Sequence, residues 1–127
     1  MPIIQNLYIL KHDISTFNSI YKVGITTHPP EKRCSQVRRT LKGGKIEVYW
    51  HGKFFGAYSI EQTLHQILAP FNVDMPKTVD GHTEFFDLDW LSVNTLIIFL
   101  KLYRLSFFLV CFVVGAYTLQ FIVNLAL

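Results

Sequence analysis

The sequence has little cysteine and, over its last stretch, no charge at all. Its two cysteines, Cys34 and Cys111, lie in unlike surroundings, one in a polar segment and one inside an apolar run. That separation excludes a disulfide framework and fits a reducing, cytoplasmic setting. Neither cysteine has neighbours that would activate a thiol. The N-terminus reads Met-Pro-Ile-Ile-Gln-Asn and lacks the basic region and long apolar run of a secretory signal. Internal repeats and low-complexity segments are also missing.

What is present divides sharply. The 127 residues suffice for one domain and little more, and half of them are hydrophobic. Every Lys, Arg, Asp and Glu lies between Lys11 and Arg104. Of the 12 basic side chains, Lys101 and Arg104 lie beyond Trp90, which leaves ten against nine acids in the first part. That part is nearly neutral, so net charge alone does not argue for a nucleic-acid partner. The basic residues do cluster: Lys32, Arg33, Arg38, Arg39, Lys42, Lys45 and Lys53 share one stretch with Glu31 and Glu47 as its only acids. A solvated helix face explains such a run; a substrate surface using Arg38, Arg39 and Lys42 is the sharper expectation.

Apolar β-formers from Ile3 to Leu10 predict a first strand, His12 to Ser19 a turn, and Ile20 to Ile25 a second strand. Pro29-Pro30 opens a helix with Glu31 in its first turn, ending near Leu41 before Gly43-Gly44. Ile46 to His51 predicts a third strand. Ser59 is the expected N-cap of a helix that reaches Leu68 and stops before Pro70. A loop from Phe71 to Thr83 and a short strand over Glu84 to Leu88 complete the order. The fold class is α/β in the broad sense, an α+β domain with a small antiparallel sheet and flanking helices.

Leu105 to Leu127 carries no charge, and at helical rise it spans about 35 Å, enough for a bilayer core. The expected domains are therefore residues 1–90, a juxtamembrane helix or linker over 91–104, and a transmembrane anchor over 105–127. Leu91 to Leu100 is either interfacial or continuous with the span. Lys101 and Arg104 at the boundary favour a cytoplasmic N-terminal domain on a single-pass anchor, and Tyr103 suits the headgroup layer. Gln120 and Asn124 share a helix face, which suits either a homo-oligomer through the membrane helix or the far interface.

Three pieces carry the chemistry. Asn6-Leu7-Tyr8-Ile9 lies in the first strand. Tyr21-Lys22-Val23-Gly24-Ile25-Thr26 lies in the second, followed by Pro29 and Lys32-Arg33. Ile60-Glu61-Gln62-Thr63-Leu64-His65 comes next, followed by Gly81-His82-Thr83-Glu84-Phe85-Phe86. Together they resemble the GIY-YIG nuclease superfamily, in particular its small phage and bacterial branch with a K-I-G-type second motif. The resemblance covers about residues 5 to 90.

On that resemblance, Tyr8 stands at the first tyrosine, while Asn6 and Leu7 replace the motif's glycine and isoleucine. Lys22 takes the second tyrosine's place. Tyr21 precedes it, but strand alternation sends the two to opposite faces, and Lys22 shares its face with Gly24. Arg33 matches the arginine of the first helix, and Glu61 the single metal-binding carboxylate. The resemblance implies a Mg²⁺- or Mn²⁺-dependent endonuclease. Glu61 would hold the metal and Arg33 would fork onto phosphate oxygens. Tyr8 would be a general base if a cation such as Lys22 lowers its pKa. His65, one turn after Glu61, would orient water or a phosphate. Asn72 is a loose match to an asparagine many of these nucleases carry. Glu84 and Phe85-Phe86 resemble the branch's closing motif and read as structural.

Each residue also has a blander assignment. Tyr8 could be a core aromatic, Lys22 a solvated strand residue, Arg33 a partner for an acid on its helix, and His65 a structural histidine. Glu61 could serve the helix dipole alone. The joint pattern favours the sharper set. No zinc-finger or helix-turn-helix spacing accompanies it, so target choice is expected to follow location or a partner. The expected partners are DNA or RNA and the lipid bilayer, with incoming foreign DNA as one target. The alternatives are a catalytically inactive module that binds nucleic acid or protein at the membrane, and a purely structural interaction module.

Overall fold

A computed structural model describes residues 3–127. The order is β1 (Ile4–Ser15), β2 (Asn18–Thr26), α1 (Pro30–Thr40), β3 (Lys45–Phe55), α2 (Ala57–Leu68), a 3-10 turn (Ala69–Phe71), β4 (Phe85–Phe86) and α3 (Trp90–Ala126). The chain divides after Trp90 into two units, residues 1–90 and 91–127.

In the first unit the strands form one antiparallel sheet in the order β3-β1-β2-β4. Because β1 is central, it supplies four consecutive buried side chains, Leu7 to Leu10. Alternation splits them between two faces. Tyr8 and Leu10 join Ile20, Ile46 and Phe85 under α1, which contributes Cys34 and Val37. The neighbouring Phe86 turns to the other face, where its ring meets His65 of α2 at 5.5 Å between centroids. The helices thus cover opposite faces. Each fully buried Leu, Val or Phe contributes about 1.5–3 kcal/mol, so two or three offset the several kcal/mol that a buried ion costs. That margin lets the domain bury Lys22 and Glu61 as well.

Several boundaries differ from the sequence reading. The hairpin is longer: residues 12–15 and 18–19 are strand, and only Thr16-Phe17 forms the turn. Those residues are mostly polar and show no apolar alternation, yet ladder pairing such as His12 with Ile20 extends the strands. Strand β3 runs on to Phe55. A bulge lets it keep pairing, with Ile9 opposite Trp50, Leu10 opposite Val48, and Tyr49 as the extra residue. Ser59 is not the cap of α2. Gly56, at φ +67°, occupies that place, and Ser59 lies inside the first turn. The last strand shortens to Phe85–Phe86.

The second unit is one helix. α3 has no break at Lys101 or Arg104, so Leu91 to Leu100 is continuous with the apolar run. Its 37 residues have a most apolar window of mean hydropathy 2.2, of which 11% is buried. It is long and apolar enough to cross a membrane.

Candidate functional site

The site collects at the edge of β2, where β4 ends early. β4 meets β2 at Tyr21 and Lys22, and Phe86 also bridges to Asn72 on its other side. Beyond that point the Val23 N–H bonds to the Glu84 carbonyl at 3.2 Å. The Val23 carbonyl accepts from His65 Nε2 at 2.9 Å. Side chains from both helices and from the loop before β4 converge around this edge.

Tyr8 comes from the sheet. It pairs across the ladder with Gly24, and its ring lies over that glycine. A Cβ at residue 24 would sit 2.6 Å from the Tyr8 Cζ, so only glycine lets the ring pass. Arg33, one turn into α1, donates from Nε to the Tyr8 hydroxyl at 3.5 Å. Its Nη1 donates to Gln36 at 2.8 Å and pairs with Asp80 at 3.1 Å. Burial works against the Arg33 charge, but the Tyr8 hydroxyl and the charges of Asp80 and Glu84 outweigh it and raise its pKa.

Lys22 is fully buried on the Tyr8 side of the sheet, and its ammonium pairs with Glu84. Its Nζ stands 5.9 Å from the Tyr8 ring centroid and 6.0 Å from that of Phe85, within cation–π range. Tyr21 points to the opposite face and meets Tyr49 edge-on at 5.4 Å.

Glu61 enters from α2. Ala57, Glu61, Leu64 and Leu68 are that helix's buried stripe, so a carboxylate occupies a place where the pattern calls for an apolar side chain. Its oxygens lie 3.3 Å from the Gln62 amide and 4.0 Å from His65 Nε2. Burial pushes the Glu61 carboxyl above the usual carboxylate range. The Glu84 charge adds to that, while His65, Gln62 and Lys22 oppose it. Glu61 is a desolvated carboxylate, and carboxylate oxygens are the donors a hard cation takes. No group of three or more His, Cys, Asp or Glu side chains suited to a metal occurs among the described residues. An ion held by Glu61 alone would have to keep several waters.

The structure thus brings Tyr8, Lys22, Arg33, Glu61 and His65 to one edge. His65 spends Nε2 on the Val23 carbonyl, which leaves Nδ1 as the ring nitrogen for any other partner. The three basic candidates of the α1 region are not gathered there. Arg38 donates to the Ile46 carbonyl at 3.1 Å and so ties α1 to β3, while Arg39 and Lys42 are exposed. Asn72 also has a framework task, donating to the carbonyls of Thr83 at 2.7 Å and Phe85 at 3.3 Å.

Sequence reasoning read Glu84 as structural, and its pairing with buried Lys22 agrees with that reading; the identity of its partner was not foreseen. Asp80 was missed as well. The available signal was an acid placed just before Phe85-Phe86 and a buried lysine that needed a partner.

The profile of a family described as the T5orf172 domain matches residues 5–101, covering the first unit and the first turns of α3. No curated protein and no solved structure matches the chain. The chain belongs to the T5orf172 domain family.

Proposed function

We propose that this protein is a metal-dependent endonuclease of the GIY-YIG kind, held at a membrane by α3. The observation that carries the reading is the contact of Tyr8 with Arg33 at the edge where α2 presents a buried Glu61. Membership of a nuclease-related family supports it.

Glu61 would bind Mg²⁺ or Mn²⁺, and such an ion supplies charge relief at the phosphate. The chain's own residues do the rest. Arg33 exchanges its Asp80 contact for a substrate phosphate and forks onto two of its oxygens. Tyr8, held by the same guanidinium, is the candidate general base toward the attacking water. His65 keeps the β2 edge in place and offers Nδ1 to a water. Arg38, Arg39 and Lys42 would add weaker contacts along the nucleic-acid backbone.

α3 places this chemistry at a bilayer, with Lys101 and Arg104 keeping the domain on the cytoplasmic side. Nucleic acid passing the membrane, such as incoming foreign DNA, is then the substrate within reach. In lipid, Gln120 and Asn124 would bond across to a second copy; crosslinking in bilayers gives dimers on this reading and only monomers against it.

The test is cleavage of DNA and RNA by the full chain in lipid discs with Mg²⁺ or Mn²⁺. Nicking that stops on chelation is expected. A folded protein that cuts neither nucleic acid with either metal contradicts the reading. One observation favours a second reading, a silent binding module: Arg33 is engaged by both Asp80 and Gln36. That module would bind nucleic acid in a salt-dependent way, with no cleavage.

A further inference from the structure

Lys22 is a basic side chain that the fold buries completely. Its ammonium touches Glu84, which lies 62 positions later and is itself partly exposed. Gly81 makes the meeting possible. At φ +70° it turns the loop back on itself, and the Glu84 N–H closes that turn on the Gly81 carbonyl at 3.0 Å. A Cβ at residue 81 would stand 2.6 Å from Lys22 Cε and 2.9 Å from Glu84 Oε2, squeezing both partners. The loop is pinned on its other side, where the Asp80 N–H bonds to the Thr40 hydroxyl at 2.9 Å. A salt bridge built only for stability would not need this much backbone, because two apolar side chains fill such a space at lower cost.

The position of the ammonium suggests its use. It stands between the Tyr8 and Phe85 rings, with Glu84 completing the enclosure. Glu61 on α2 feels the charges of both Lys22 and Glu84, and Arg33 on α1 feels that of Glu84. Glu84 thus touches Lys22 and acts on the charges of Arg33 and Glu61.

We infer that Glu84 is a positioning residue: it holds the Lys22 ammonium against the Tyr8 ring, so that Tyr8 keeps its hydroxyl at Arg33. The inference rests on the nuclease reading for its catalytic consequence but not for the contact itself. No bond is made or broken by Glu84. Its carboxylate accepts from the ammonium throughout, and a displacement of Lys22 by about 1 Å would cost about 100-fold in rate.

Two measurements on the full chain in lipid discs test it. The first needs no turnover: a ¹H–¹⁵N spectrum of lysine ammonium groups. A buried, paired ammonium exchanges slowly, so wild type should show a protected signal that Lys22→Met removes. Glu84→Gln should lose it and Glu84→Asp should keep it. A wild-type spectrum with no such signal, or one unchanged in Glu84→Gln, overturns the inference, whether or not the protein cuts nucleic acid.

The second is kinetic. Glu84→Gln should lower kcat about 100-fold, leave KM for DNA within about 3-fold, and recover in Glu84→Asp. Gly81→Ala should lower kcat in the same way. Because Glu84→Gln strands a buried charge and could unfold, Lys22→Met/Glu84→Gln serves as its control. With both charges gone that variant should fold yet remain as slow as Lys22→Met alone. A double variant that cuts at the wild-type rate shows the pair to be structural only and overturns the inference. Wild type that shows the protected signal but never cuts sinks the nuclease reading and leaves the positioning contact standing.

Discussion

The two units of this chain treat charge in opposite ways. The first ninety residues hold all but two of the Lys, Arg, Asp and Glu side chains and bury two of them, Lys22 and Glu61. From Leu105 onward α3 holds none. A buried charge costs several kcal/mol unless it is paired, so a domain of ninety residues keeps one only where the rest of the fold can offset it. A charge in the tail would instead oppose transfer into lipid. In the first unit, then, an ion out of place points to a site. In the second, the absence of ions indicates the surroundings the helix suits.

The largest expected effect comes from breaking the rule in the tail. Val113→Lys together with Leu119→Lys should cost roughly 5–7 kcal/mol of membrane insertion. The variant should move from the membrane fraction to the soluble or aggregated fraction. Full retention would show that α3 is not held by lipid.

Next comes the domain. Arg33→Ala should slow cleavage by about 10²–10³-fold at saturating metal, as the loss of a group that stabilises developing charge does. A rate within about 3-fold of wild type would assign Arg33 to its Asp80 pair and not to phosphate.

A smaller effect concerns Glu61 and pH. Its folded pKa is raised, chiefly by burial. The folded state therefore holds that proton more tightly than the unfolded chain. The resulting stabilisation is present at low pH and is lost as pH rises through the raised value. Without divalent metal, Glu61→Gln should melt higher than wild type at pH 7, and the difference should vanish in mild acid. Mg²⁺ should raise the melting temperature of wild type only. Equal melting at both pH values would remove burial as the source of the shift.

The smallest effect tests the exposed basic residues. Arg39→Ala with Lys42→Ala should weaken nucleic-acid binding a few-fold and reduce the salt slope by about one or two units, leaving kcat unchanged. No change in slope would mean that nucleic acid does not reach the far end of α1.

The same comparison explains how much could be read from sequence. In α3 the property is additive over residues, and composition alone gave an apolar helix of spanning length. In the domain, local order sufficed to single out Tyr8, Lys22, Arg33 and Glu61 as candidates, because their motifs follow each other on successive elements. It did not suffice for Glu84, whose role depends on a turn at Gly81 that folds it back onto β2. Local propensity also misjudged Ser59, a strong N-cap type, because the positive φ at Gly56 starts α2 three residues earlier. The strand ends at residues 12–15 were hidden for a related reason. Their pairing depends on the partner strand, and their own polarity suggests a turn.

One measurement tests the central claim most directly: nicking of supercoiled DNA by the full chain in lipid discs with Mg²⁺ or Mn²⁺, beside Glu61→Ala at equal folding. The account predicts metal-dependent nicking by wild type and none by Glu61→Ala. Equal nicking by both, or binding without nicking by both, would contradict it.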